Sequence, residues 1–169
     1  IQNSLIISGG ATLTIEEGVT IKMSENSRIV IDETSKIFSN GTKEKPVTIK
    51  PFQGYWRGIT VEYDSYPKLW KNGKYNATAT EADLYTLEEW KANEFYSRAK
   101  LKFTHISGLV QQNAIHPLYG PIWLEDCLIS DSIDKGWYFT SGAVFERCNI
   151  MYSEILQSVG DFRGVQSFR

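Results

Sequence analysis

Glu125 and Glu146 stand 21 residues apart, each next to a second charged residue, Asp126 and Arg147. Lys102 precedes Glu125 by 23 residues, and Asp131 and Asp134 add acid nearby. Carboxylates gathered on one exposed face, with an Arg or Lys beside them, are the groups that hold a hard cation or move a proton. Glu125, Glu146, Arg147 and Asp126 are therefore the catalytic candidates. The competing reading is plain: stacked Lys and Glu side chains also make an ordinary solvated sheet face.

Cys127 and Cys148 are also 21 residues apart. On neighbouring turns of a coil of strands they would lie about 5 Å apart, within the Cα reach of a disulfide. Side chains stacked in register point the same way, which suits two free thiols better than the dihedral of a bond. Whether the pair is free or bonded stays open. The cysteines form no metal-type CxxC spacing, His105 and His116 make no ligand pair, and no metal site is predicted. Both histidines read as surface residues. Gly-rich phosphate loops, GxSxG and HExxH are absent from the sequence.

Aromatic residues make up 13% of the chain, a surplus over its other features. Trp123 lies one residue before an inward leucine and so is expected to project outward, near Tyr119-Gly120-Pro121. Trp137 and Tyr138 follow Gly136 in the adjoining turn, and Tyr66, Trp70 and Trp90 lie further upstream. Rings beside a shallow groove stack on the apolar faces of sugars while polar neighbours bond the hydroxyls. Trp123, Tyr119, Trp137, Tyr138 and Trp70 are the ligand-binding candidates on that ground. The alternative is that large rings plug a small core, which is the reading for Trp56 and Trp90.

These residues need elements to carry them. From residue 11 to 61 apolar positions pair at two-residue spacing: Leu13 and Ile15, Val19 and Ile21, Ile29 and Ile31, Val47 and Ile49, Ile59 and Val61. Each pair reads as a strand of about three to five residues with alternate side chains buried. Gly18, Asn40-Gly41 and the polar runs between them are corners, and Pro46 belongs at a strand start. Beyond Lys100, Leu101 to Ser107 aligns with Leu124 to Ser130 and with Phe145 to Met151, at offsets of 23 and 21 residues. That is the length of one unit of a solenoid. It predicts three inward stacks: Leu101, Leu124 and Phe145; Thr104, Cys127 and Cys148; Ile106, Ile129 and Ile150. Residues 64–99 interrupt the pattern, with Asn72-Gly73 as a turn and Leu84, Leu87 and Trp90 at helical spacing after Thr80. They are expected to form a partly helical insertion.

Composition narrows the partners. A formal charge of -2 on 169 residues gives no basic surface for nucleic acid. The longest apolar runs are too short to span a bilayer. A Lys-led, Leu-rich export signal is missing from the stretch, so any such signal is expected outside it.

The strings Ala11-Thr12-Leu13-Thr14-Ile15-Glu16-Glu17-Gly18-Val19-Thr20-Ile21-Lys22, Gly41-Thr42-Lys43-Glu44-Lys45-Pro46-Val47-Thr48-Ile49 and Gly54-Tyr55-Trp56-Arg57-Gly58-Ile59 resemble the opening of right-handed parallel β-helix proteins, the pectate-lyase-like superfamily of bacterial secreted and cell-surface proteins. The later LxxCxI units are similar to its coil repeats. Glu17 stands where that family usually has Pro, and Arg57 where a small residue is common; both are expected to face solvent. The resemblance implies an all-β, right-handed parallel β-helix over 1–169 as one domain, with 64–99 inserted, secreted or surface-associated. It leaves three functions open. One is a module that binds glycan or serves as a scaffold; another is a polysaccharide lyase or glycoside hydrolase, with calcium if a lyase and otherwise no cofactor; the last is an adhesin or spacer. A start and stop without caps fit a piece of a longer protein, or coils that associate end to end.

Overall fold

The computed structural model describes residues 1–62, 70–71, 74–75, 98–110, 117–133, 140–151, 159–163 and 166–168. The first coil is β1 (Leu5–Ile7), β2 (Thr12–Ile15) and β3 (Thr20–Met23). The second is β4 (Ile29–Ile31), β5 (Lys36–Asn40) and β6 (Val47–Pro51). The third opens with β7 (Ile59–Val61), is interrupted by the short strands β8 (Trp70–Lys71) and β9 (Lys74–Tyr75), and resumes with β10 (Ala99–Lys102) and β11 (Thr104–Ser107). Then come β12 (Leu118–Tyr119), β13 (Trp123–Glu125) and β14 (Leu128–Ser130), followed by β15 (Thr140–Glu146) and β16 (Asn149–Met151), and by β17 (Val159–Arg163) and β18 (Gln166–Phe168).

Every strand of one coil pairs in parallel with its counterpart in the next. Three faces result, and the first two fuse where β15 runs straight through their corner to pair with both β12 and β13. This is a parallel β-helix. Its strands are short because the inward pairs are short: Ile29 and Ile31, Ile37 and Ser39, Val47 and Ile49 are all buried, and the residues between them are more accessible.

The repeat after Lys100 maps onto the register without a slip. Leu101 pairs with Leu124 and Leu124 with Phe145; Ile106 pairs with Ile129 and Ile129 with Ile150. All six are buried, as are Thr104, Cys127 and Cys148. The corner between the second and third faces is a single tight bend at Phe103, Asp126 and Arg147, whose φ angles are 42°, 53° and 51°. Left-handed backbone costs a non-glycine residue about 1–2 kcal/mol. Ladder bonds continue through the bend and hold it, with Phe103 N donating to Glu125 O at 3.0 Å and Asp126 N to Glu146 O at 3.0 Å.

The insertion leaves the coil between β7 and β10, at the corner between the first and second faces. Arg98 closes its neck, donating from Nη1 to Asp32 O and from Nη2 to Glu62 O, both at 2.8 Å. Ala99 is already core, so the inserted stretch ends just short of the expected boundary. Its described part is an antiparallel pair, Trp70 with Tyr75 and Lys71 with Lys74; the turn expected at Asn72-Gly73 lies outside the described residues. The helix expected after Thr80 lies outside the described residues. No helix among the described residues is long and apolar enough to cross a membrane.

Asp32 organises the same corner one coil earlier. Its carboxylate accepts from Gly9 N at 2.8 Å and from Thr34 N and Oγ1 at 2.9 Å. The neighbouring Ser35 hydroxyl, and then these donors, hold its pKa well below the usual carboxylate range. A depressed carboxylate stabilises the fold above its unfolded pKa, about 3.9, and that contribution is lost as pH falls further. Urea unfolding of the wild type should therefore weaken below pH about 4. Asp32→Asn should flatten that part of the profile, and an unchanged acid limb would show the turn to be unimportant.

Candidate functional site

The register brings the four catalytic candidates together. Lys102, Glu125 and Glu146 are ladder partners on successive coils, with Asp126 and Arg147 at the tight bends that follow. Arg147 reaches back one coil and clasps Asp126 with Nε at 2.8 Å and Nη2 at 2.6 Å. The same Nη2 lies 2.7 Å from Glu125 Oε1, and Nη1 pairs with Glu146. Lys102 Nζ takes the other oxygen of Glu125 at 3.0 Å. The sequence placed these residues side by side; their convergence on one guanidinium depends on the left-handed bend at Arg147.

That convergence decides what the cluster can do. The hydrogen bonds that Arg147 donates to Asp126 and Glu125 raise its pKa above an already high value, so its guanidinium is poorly suited to act as a base. A hard cation would have to displace Arg147 from three carboxylates. Among the described residues no group of three His, Cys, Asp or Glu is placed to hold a metal ion.

Cys127 and Cys148 are free and buried. Each sulfur lies near two carbonyls, Cys127 Sγ at 3.3 Å from Leu101 O and Glu125 O, Cys148 Sγ at 3.4 Å from Leu124 O and Glu146 O. Burial pushes the Cys127 thiol up, which disfavours the reactive thiolate.

His105 departs from the surface role expected of it. It is half-buried, with Nε2 2.8 Å from Ser130 Oγ, which in turn donates to Asp131 Oδ2 at 2.7 Å. The one hydroxyl proton goes to the carboxylate, so Nε2 carries a proton and donates to the serine. This is the reverse of the polarity that activates a serine nucleophile. Burial, first, lowers the pKa of His105.

The aromatic candidates separate. Trp123 does lie on the side of β13 opposite Leu124, but it is 2% exposed, not displayed. Alternation sets which way a side chain points; what packs over that face sets whether it meets solvent. Tyr119 is half-buried on the outer row of the first face, beside Thr60. Trp70 begins the short antiparallel pair, and Trp137 and Tyr138 lie outside the described residues. Trp56 is fully buried under its corner, donating from Nε1 to Ser107 O at 2.8 Å.

Two exposed rings were missed. Phe52 is 69% exposed and Tyr55 39%, both on the corner that follows β6. The corner is pinned to the one below it, with Phe52 N donating to Met23 O at 2.7 Å and Asn26 N to Tyr55 O at 3.2 Å. Glu25 and Asn26 are exposed beside them, and Glu25 lies against Gly54. A ring on each side of Gln53-Gly54 was the available signal, since a turn glycine leaves neighbouring side chains uncovered.

A family model described as a pectate-lyase like beta helix domain matches residues 1–94, more than half of the chain. Comparisons with curated proteins and with solved structures return no match.

Proposed function

Because this chain belongs to the pectate-lyase-like beta helix domain family, we propose that it is an extracellular β-helix module, secreted or held at a cell surface, that binds glycan. The observation that carries this reading is the corner bearing Phe52 and Tyr55, where two large rings face solvent beside Glu25 and Asn26. Rings of this kind stack on sugar faces, and the carboxylate and amide can bond hydroxyls. A polysaccharide lyase or hydrolase is less well supported, because Glu125, Asp126 and Glu146 are all committed to Arg147.

Retention on a panel of insoluble polysaccharides and glycan arrays tests the proposal. Phe52→Ala and Tyr55→Ala should each weaken binding by about 3- to 10-fold, from the loss of one stacking contact. Their unfolding free energies should stay within about 0.5 kcal/mol of wild type, as for exposed sites. Product release from acidic polysaccharides with added calcium, abolished by Glu125→Gln, would replace binding with catalysis. Silence in both assays would leave a structural spacer.

A further inference from the structure

Two arginines meet at the corner that leads into the first face, and among the described residues neither has a carboxylate partner. Arg28 lies one residue before β4 and Arg57 two before β7. The ladder holds them on adjacent coils, with Arg57 N donating to Ser27 O at 2.8 Å and Ile29 N to Gly58 O at 2.9 Å. Arg57 was expected to face solvent, but it is half-buried, and its Nε is shielded from solvent with no acceptor among the described residues. Arg28 is half-buried too, and its Nη1 donates to Thr60 Oγ1 at 2.9 Å. Having accepted that bond, the Thr60 hydroxyl keeps its own proton to donate.

Such an arrangement is costly as it stands. A buried N–H without an acceptor forfeits its hydration, and burial together with the like charge of Arg57 lowers the pKa of Arg28. An anion between the two guanidiniums would supply the missing acceptor and cancel the repulsion. We propose that Arg28, Arg57 and Thr60 form a binding site for a single oxyanion group, a carboxylate, sulfate or phosphate. Guanidinium forks match the planar or tetrahedral oxygens of these groups, and the hydroxyl adds a third donor. A larger molecule carrying the group would continue along the outer row of this face, where Val30, Thr60 and Tyr119 are register partners. This site is on a different part of the coil surface from the charged ladder at Arg147, and it does not depend on the glycan reading.

The test titrates the intact chain with sodium sulfate, sodium phosphate and sodium acetate at constant ionic strength against chloride. The melting temperature and the NMR signal of the Arg57 Nε–H are followed together. At least one anion should give a saturable rise in melting temperature and a shift of that signal, and which one does so identifies the group. Arg57→Gln should weaken that binding by roughly tenfold or more, the loss of a charged donor. Without the anion, at low salt, the same variant should melt no lower than wild type, because it relieves repulsion. Thr60→Val serves as a second probe should Arg57→Gln fold poorly, and it too should weaken binding. A wild type that answers all three anions as it answers chloride would overturn the site. So would variants that keep the full response.

Discussion

Gly58→Ala is expected to destabilise the coil by about 2–5 kcal/mol, the sum of a left-handed backbone penalty and a clash the ladder cannot relax. Gly58 has φ +84°, and a Cβ built there would sit 1.8 Å from Pro117 O. That oxygen is fixed, because it accepts the 2.7 Å ladder bond from Ile59 N that joins the third coil to the fourth. Making room for a methyl group therefore means breaking the ladder. Gly10→Ala is the internal control: φ is +79°, but nothing lies within 4 Å of the added carbon. It should cost only the backbone term of about 1–2 kcal/mol. Urea unfolding of both variants measures the difference, and equal costs would show that the coils do not approach as closely at Gly58 as described. A loss of this size is a large share of the roughly 5–15 kcal/mol that holds a domain folded.

Trp123→Ala should cost about 3–5 kcal/mol, the usual range for emptying a buried aromatic site. Trp123 is 2% exposed and lies in register between Lys100 and Val144, on the side of β13 away from the Leu101, Leu124 and Phe145 stack. Trp123→Phe should recover most of the stability, since it restores ring volume. Thermal or urea unfolding checks both variants. Folded Trp123→Ala protein, assayed well below its melting point, should bind glycan as wild type does. A selective loss of binding with stability intact would return Trp123 to the ligand site. Phe52→Ala is predicted to show the opposite pattern, weak binding with near-normal stability.

The contrast between these two rings shows where sequence reasoning stops. Leu101, Leu124 and Phe145 were recognisable as one stack because a coil returns each inward position to the same place after a fixed number of residues. The same repeat correctly set Lys102, Glu125 and Glu146 in one row. It could not show that Arg147 turns back to hold three carboxylates, because that depends on a left-handed bend at a position the pattern leaves variable. Nor could it show that Trp123 is covered while Phe52 is bare, or that Arg28 and Arg57, 29 residues apart in the chain, share one corner.

Sequence alone determined the parallel coil, its core stacks and the place of the interruption, because burial of alternate residues at a repeating interval is a local, periodic requirement. Tertiary structure alone decided which outward residues are exposed, which charges cancel and which remain unmatched. Those properties depend on what the neighbouring coils and corners bring alongside, and no interval along the chain encodes that.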